Sequence, residues 1–166
     1  MQKKFALTNE TRVFGNHTLY RIQALKDFAD VKAGDLGGFI EKVDNLSHEG
    51  NCWVYNEALV FKNGHVYENA KVFGNAIVAG YVYGNAHVYG KAIIYDHAYV
   101  YDNARVYENA RIANNVHVCE NAHIHGIAVI RENVGGSTEI KTYIERLSPY
   151  GELEIVYVSP KIKQHN

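Results

Sequence analysis

The central part of the chain repeats every six residues, and this period constrains the fold more than any other feature. Between residues 52 and 134 each unit has the form Ala-x-Val-Tyr-x-Asn. A six-residue period is too short for a helical repeat, so it predicts a solenoid of short strands. The branched residues of the repeat are Val60, Val66, Val72, Val78, Val82, Val88, Ile94, Val100, Val106, Ile112, Val118, Ile124 and Ile130.

The positions inside each unit predict which side chains face inward. A small residue precedes each branched residue by two positions, as Ala86 precedes Val88. Residues two apart on a strand point to the same side, so both face the interior. The following residue, usually Tyr, then points outward, and stacked coils predict vertical ladders of aromatic rings. The final Asn predicts a sharp corner, because Asn tolerates positive φ better than most residues.

This repeat resembles the hexapeptide-repeat left-handed β-helix, in which three hexads make one triangular coil. The resemblance implies the handedness and the triangular section, and the repeat is long enough for about five such coils. The unit between Val78 and Val82 is two residues short, and Gly80 is expected to absorb the altered backbone there. The predicted fold class is all-β: a single-stranded left-handed parallel β-helix with an N-terminal β cap and a C-terminal β-hairpin.

The segments on either side of the repeat predict two closing structures. We assign residues 1–39 to N-terminal strands and a cap, 40–134 to the β-helix, and 135–166 to a β-hairpin and tail, within one structural domain. The first coil needs a hydrophobic plug, and the glycines Gly37 and Gly38 are expected to allow a tight reversal beside it. The residues predicted to form the plug are Phe28, Val31, Leu36, Phe39 and Trp53.

Two sequence blocks before the repeat resemble a narrower family. Residues 27–39 contain DFADVKAGDLGGF, and residues 45–55 contain NLSHEGNCWVY. Both blocks, followed by VYxNA repeats, resemble β-helical proteins named as transferases and related phage-encoded proteins. The resemblance covers roughly residues 5 to 134 and implies no established reaction.

Charge, cysteine content and the N-terminal sequence argue against a nucleic-acid-binding surface, a disulfide and a membrane segment. The chain has 17 Lys plus Arg against 18 Asp plus Glu, which argues against a nucleic-acid-binding surface. Cys52 falls on an inward position and Cys119 on an outward one, so a disulfide between them is not expected. The N-terminal residues contain no long apolar run, which predicts a cytoplasmic protein (the host cytoplasm if phage-encoded) without a membrane segment.

The nine histidines supply the candidates for metal binding and catalysis. His117, His123 and His125 form the densest group, but a corner separates the first from the others, so one subunit does not place all three around a zinc ion. Hexapeptide-repeat proteins, which this chain resembles, are often acyltransferases, and such an enzyme would use one histidine as a general base. His87, His97 and His117 are the candidates by residue type. No insertion interrupts the repeat after Ala86, although acyltransferases of this class usually carry a projecting loop, and this argues against catalysis. We predict no bound metal or other cofactor.

One side of the predicted prism carries an apolar column, which we interpret as a contact surface. Its occupant could be the chain's own terminal strands, a second copy in a dimer or trimer, or a foreign protein. The sequence therefore favours a non-catalytic β-solenoid that binds or scaffolds, such as a phage accessory protein acting on a host protein. The alternative is a CoA-dependent acyltransferase-like enzyme, for which the fold alone is an analogy. The column consists of Leu59, Phe61, Ile77, Ile93 and Tyr95.

Overall fold

The chain forms a parallel β-solenoid in the computed structural model. The structure describes residues 2–147, 149–150 and 153–157, with only the backbone given for residues 142–147 and 153–157. One turn of 3-10 helix covers Val43–Asn45. In chain order the strands are β1 (Phe5–Phe14), β2 (His17–Ala24), β3 (Leu36–Ile40), β4 (Trp53–Val54), β5 (Leu59–Val60), β6 (His65–Val66), β7 (Lys71–Val72), β8 (Ile77–Val78), β9 (Tyr81–Val82), β10 (His87–Val88), β11 (Ile93–Ile94), β12 (Tyr99–Val100), β13 (Arg105–Val106), β14 (Arg111–Ile112), β15 (His117–Val118), β16 (His123–Gly126), β17 (Val129–Ile130), β18 (Glu139–Leu147) and β19 (Leu153–Tyr157).

These strands stack into three sheets, which form the sides of the solenoid. We call them the apolar face (β3-β5-β8-β11-β14-β17), the basic face (β4-β7-β10-β13-β16-β18) and the tyrosine face (β6-β9-β12-β15). The first two contain six parallel rungs each, and single bridges at Leu46 and Val134 extend the third at both ends. The sequence predicts about five coils; the structure has about six because β18, which follows the repeat, adds a rung.

The small and branched residues fill the tube, as the spacing predicts. Ala86, Val88, Ala92 and Ile94 are all fully buried, and the same holds along the repeat. The shortened unit differs from the expectation, because Gly80 does not have positive φ. A Cβ at Gly80 would lie 2.5 Å from the Ala98 carbonyl oxygen. The position therefore requires glycine for close packing between coils and not for an unusual backbone conformation.

The corners show that the expectation for Asn is wrong at most positions. The residue before the Asn has positive φ, as in Glu68 (55°), Asp102 (54°) and Glu108 (56°). That residue is the first central position of a β-turn, in which the Ala70 N–H donates to the Tyr67 carbonyl oxygen. Positive φ at this position alone is the sign pattern of a type II′ turn. Asn115 is an exception, because both it and its predecessor have positive φ.

The outward aromatic residues form ladders, as predicted. Along the basic face the ring centroids of Phe73 and Tyr89 are 4.6 Å apart, and those of Tyr89 and Tyr107 are 4.9 Å apart. On the tyrosine face, Tyr83 and Tyr101 stack at 4.8 Å with planes 4° apart. Each spacing matches the distance between neighbouring strands, so the backbone register positions the rings.

A buried lysine closes the basic face at its N-terminal end. Backbone N–H groups donate towards the next coil, as Cys52 N–H does to Glu68, so the carbonyls of the first coil have no preceding coil to supply donors. The Lys4 ammonium donates to the carbonyl oxygens of Cys52 (2.8 Å) and Gly50 (3.3 Å). Lys4 is fully buried. Its three N–H donors take the place of the backbone N–H groups that a preceding coil would supply.

The plug of the first coil differs in part from the prediction. Leu36 is 56% exposed and contributes little. Phe39 and Trp53 are buried, but they lie on the outer side of the sheet, where Phe39 pairs in register with Leu59. The predicted reversal at Gly37–Gly38 is also wrong, because both glycines lie within β3. A Cβ on Gly37 would lie 2.6 Å from the buried Ile22 side chain, so the glycine makes room for the interior.

The two strands of the predicted C-terminal hairpin are confirmed within the described residues. β18 pairs in parallel with β16 and antiparallel with β19, so the hairpin extends the basic face. Residues 148, 151–152 and 158–166, which belong to the predicted hairpin and tail, lie outside the described residues.

His48 attaches the N-terminal strand to the first coil and makes stability depend on pH. Its Nδ1 accepts a hydrogen bond from the Lys4 N–H (3.1 Å), and its ring stacks on Phe5 at 4.3 Å. Burial, and then the ammonium groups of Lys4, Lys3 and Lys26, lower the pKa of His48 below 6.5.

A lowered pKa in the folded state gives stability that is present above pH 6.5 and is lost as the pH falls through the folded pKa. We therefore expect urea unfolding to show lower stability at pH 5 than at pH 7.5, with a smaller difference in His48→Gln. The control His97→Gln, at an exposed corner, is expected to keep the wild-type difference. An equal pH dependence in His48→Gln and the wild type would contradict the role of His48.

Candidate functional site

The three faces of the solenoid present different side chains to the outside. The apolar face carries Leu59, Ile77 and Ile93 in one column, in register with one another. The tyrosine face carries Tyr81, Tyr99 and His117 beside a parallel column of Tyr67, Tyr83 and Tyr101. The basic face carries a column of Lys71, His87, Arg105 and His123.

On the apolar face, Leu59, Ile77 and Ile93 are register partners in one column, and the chain itself covers part of this column. Leu59 and Phe61 are buried in a cluster with Leu19 of β2 and Phe39. Ile77, Ile93 and Tyr95 lie further along the same face and are half-buried. Strands β1 and β2 pair antiparallel, and this N-terminal hairpin is therefore one occupant of the column. Binding of another molecule at Ile77, Ile93 and Tyr95 stays a prediction.

On the tyrosine face, each ring inside a ladder has both of its faces covered by the stacked rings above and below. Tyr81 and Tyr99 stack at 4.8 Å, and Tyr99 and His117 at 4.5 Å. A nucleic-acid base needs a free ring face on which to stack. Rings inside these ladders present only their edges.

The basic face contains a groove around His87, at the point where its aromatic ladder is interrupted. Tyr55 and Phe73 meet edge to face at 6.4 Å instead of stacking, and the Tyr55 hydroxyl donates to Asp30 Oδ1 at 2.7 Å. The Lys71 ammonium lies 3.6 Å from the same oxygen. With Asn56 and His87, these residues line a groove of about 300 Å³.

Charges in and beside the groove determine which protonation states its residues adopt. The hydrogen bond from Tyr55, and then the charge of Lys71, lower the pKa of Asp30, so that this carboxylate is ionised. Burial, and then the charges of Arg105 and Lys71, lower the pKa of His87 below 6.5. At neutral pH His87 is therefore a neutral imidazole, the form that can accept a proton.

The geometry of His87 leaves its ring nitrogens available. The ring meets Phe73 edge to face at 6.1 Å, and the side chain is half-buried. Within the described part of the chain no carboxylate hydrogen-bonds the ring. His87 thus has the protonation state of a general base but lacks the orienting acid that often accompanies one.

The other two predicted bases lie elsewhere. His97 is exposed at a corner with φ of 59°. His117 lies on the tyrosine face, where its Nδ1 is 3.3 Å from the Tyr101 hydroxyl. The structure therefore does not bring the three candidate bases together, and His87 is the one that lines the groove of the basic face.

The three histidines considered as metal ligands are also separated. His117 belongs to the tyrosine face, whereas His123 and His125 lie on β16 of the basic face. His125 is 5% exposed, with its Nε2 2.7 Å from Glu139 Oε1. No group of three His, Cys, Asp or Glu side chains in the described residues is arranged to hold a metal ion.

Sequence reasoning missed the groove because its wall includes a residue outside the repeat. Asp30 belongs to the N-terminal cap and reaches Tyr55, which lies 25 positions later in the chain. Lys71, Phe73 and His87 could have been grouped from the hexad register, which places them on adjacent rungs of one face.

The comparisons with known proteins give one relative. No family model matches the chain, and none of the helices in its described portion could cross a membrane. The chain is 37% identical over 70 residues to a protein of Escherichia coli (strain K12) named uncharacterized acetyltransferase YdcK. The match covers 37% of this chain and 22% of that protein, so this chain corresponds to a small part of the relative's length. The two motif blocks and the phage connection stay predictions, and the comparison and the solenoid together fit a hexapeptide-repeat, transferase-like β-helix.

Proposed function

We propose that the chain is an acyltransferase-like β-solenoid that transfers an acyl group from a CoA thioester to a small acceptor at the groove of the basic face. The observation that carries this proposal is His87, a neutral imidazole lining a groove of about 300 Å³. The similarity to a protein named as an acetyltransferase supports the same class of reaction. This similarity favours acyl transfer over a non-catalytic scaffold function.

The reaction follows from the proton-accepting state of His87. A ring nitrogen accepts the proton of the acceptor's amine or hydroxyl group while that group attacks the thioester carbonyl carbon. The bond from carbon to sulfur then breaks, and the departing CoA thiolate takes the proton from the imidazolium. Tyr55 and Phe73 form apolar walls that partly exclude water, and Lys71 lies close enough to bind negative charge.

A non-catalytic scaffold is the second candidate function. It is favoured by the half-buried Ile77, Ile93 and Tyr95 on the apolar face and by the uninterrupted repeat after Ala86. An oligomer and a protein partner both belong to this candidate.

Calorimetric titration of acetyl-CoA separates the two candidates. If the chain is an acyltransferase, acetyl-CoA is expected to give saturable heat with a dissociation constant between about 1 μM and 1 mM, the range of ordinary enzyme substrates. Release of the free CoA thiol with a panel of amines and alcohols would then identify the acceptor. Absence of saturable heat at millimolar acetyl-CoA would contradict acyl transfer and leave the scaffold.

A further inference from the structure

Two cationic residues flank the neutral His87 in the outward column of the basic face. Lys71 pairs in register with His87, and His87 pairs with Arg105. Neighbouring strands are about 4.8 Å apart, so Lys71 and Arg105 lie on the rungs directly before and after His87.

Acidic residues compensate the ends of this column but not its middle. Asp30 lies 3.6 Å from the Lys71 ammonium, and Glu139 is the register partner of His123. Arg105 is exposed, and no carboxylate of the described residues lies within salt-bridge distance of its guanidinium. The neighbouring aromatic column, with Tyr89 and Tyr107, contributes no acid either.

We infer that the acceptor substrate binds in the groove beside His87 through an oxyanion, a carboxylate or a phosphate, which is held by Arg105 on the adjacent rung, next to the groove. A guanidinium presents paired donors to such a group, and the bound anion would neutralise the charge of Arg105, which no carboxylate of the described residues compensates. This inference rests on the proposed function and adds the chemical class of the acceptor.

The spacing assigns the anion to the acceptor and not to the CoA donor. His87 must lie within hydrogen-bond reach of the attacking group, and Arg105 is on the adjacent rung, about 4.8 Å away. The anion and the nucleophile therefore belong to one small molecule. In acyl-CoA the phosphates are separated from the thioester by the whole pantetheine arm.

Titration of His87, followed by NMR with and without inorganic phosphate or acetate at low salt, tests the anion site without any enzyme assay. A bound anion close to the ring is expected to raise the midpoint of the His87 titration by about one pH unit. Arg105→Gln is expected to abolish this rise. Arg111→Gln, an exposed arginine on the apolar face, is the matched control and is expected to behave as the wild type. No rise in the wild type, or an equal rise in Arg105→Gln, would overturn the inference.

Kinetics then distinguish the acceptor from the donor. Arg105→Gln is expected to raise the KM of an anionic acceptor roughly tenfold, the worth of one hydrogen bond to a charged group, with the KM of acetyl-CoA unchanged. A rise in the KM of acetyl-CoA instead would place the donor's phosphates at Arg105 and overturn the assignment. If acetyl-CoA gives no heat of binding, the proposed function fails; if it binds but phosphate leaves His87 unaffected, only the anion site fails.

Discussion

Replacing His87 with asparagine is expected to lower kcat for acyl transfer by roughly 10²- to 10⁴-fold, the usual contribution of a general base. Asparagine keeps a polar side chain of similar size but cannot accept a proton. Because the pKa of His87 in the free protein is lowered, the wild-type kcat/KM, which reports the free enzyme, should rise with pH through a midpoint below the ordinary histidine value and then level off. The same profile should be absent in the variant.

The control for this experiment is His123→Asn, which changes another histidine of the same column two rungs away. It is expected to keep kcat within about threefold of the wild type, since His123 does not line the groove. Circular dichroism of both variants checks that the solenoid is intact. Equal rates in His87→Asn and the wild type would remove His87 as the base.

The largest expected effect on stability comes from the interior of the tube. Ile94→Ala should lower the free energy of unfolding by about 2–5 kcal/mol, the cost of lost burial and of the cavity left behind. Ile94 is fully buried, and its Cγ2 lies 2.9 Å from the position that a Cβ on Gly80 would occupy. The rungs above and below are continuous strands, so they have little freedom to close the gap.

The adjacent residue gives a matched comparison. Ile93→Ala removes the same atoms from the outer side of the same strand, where the side chain is half-buried. Its cost is expected to stay below about 1.5 kcal/mol. Urea unfolding of both variants measures the difference. Equal losses would show that the inward and outward assignments are wrong.

The sequence predicts the buried side chains of the tube well because the same six-residue spacing recurs in every unit. Ala86, Val88 and Ile94 are inward for one reason, which is strand alternation combined with a fixed spacing. The corners were predicted less well. Asn is frequent at the second central residue of the turn, but the residue before it has the positive φ, and that residue varies among Gly, Glu, Asp, Lys and Asn. No single residue type therefore marked the strained position.

The groove and the cap depend on contacts that no period predicts. Lys4 supplies donors to carbonyls of residues about 46 to 48 positions later in the chain, and nothing in its local sequence distinguishes it from an exposed lysine. Asp30 likewise reaches Tyr55 across the boundary between cap and repeat. Such contacts follow from how the cap docks, which is decided by packing across the whole first coil.

The two-residue shortening near Gly80 shows how changes in chain length would affect this protein. Val72 and Val88 are register partners 16 residues apart, whereas Val88 and Val106 are partners 18 residues apart. Losing two residues at a corner thus leaves every later side chain on its original face. Removing a complete hexad after His87 would instead rotate the rest of the prism by one side, and Arg105 would no longer stand below His87. Removing a full coil of 18 residues there would keep every later side chain on its original face and would bring His123 into the place of Arg105.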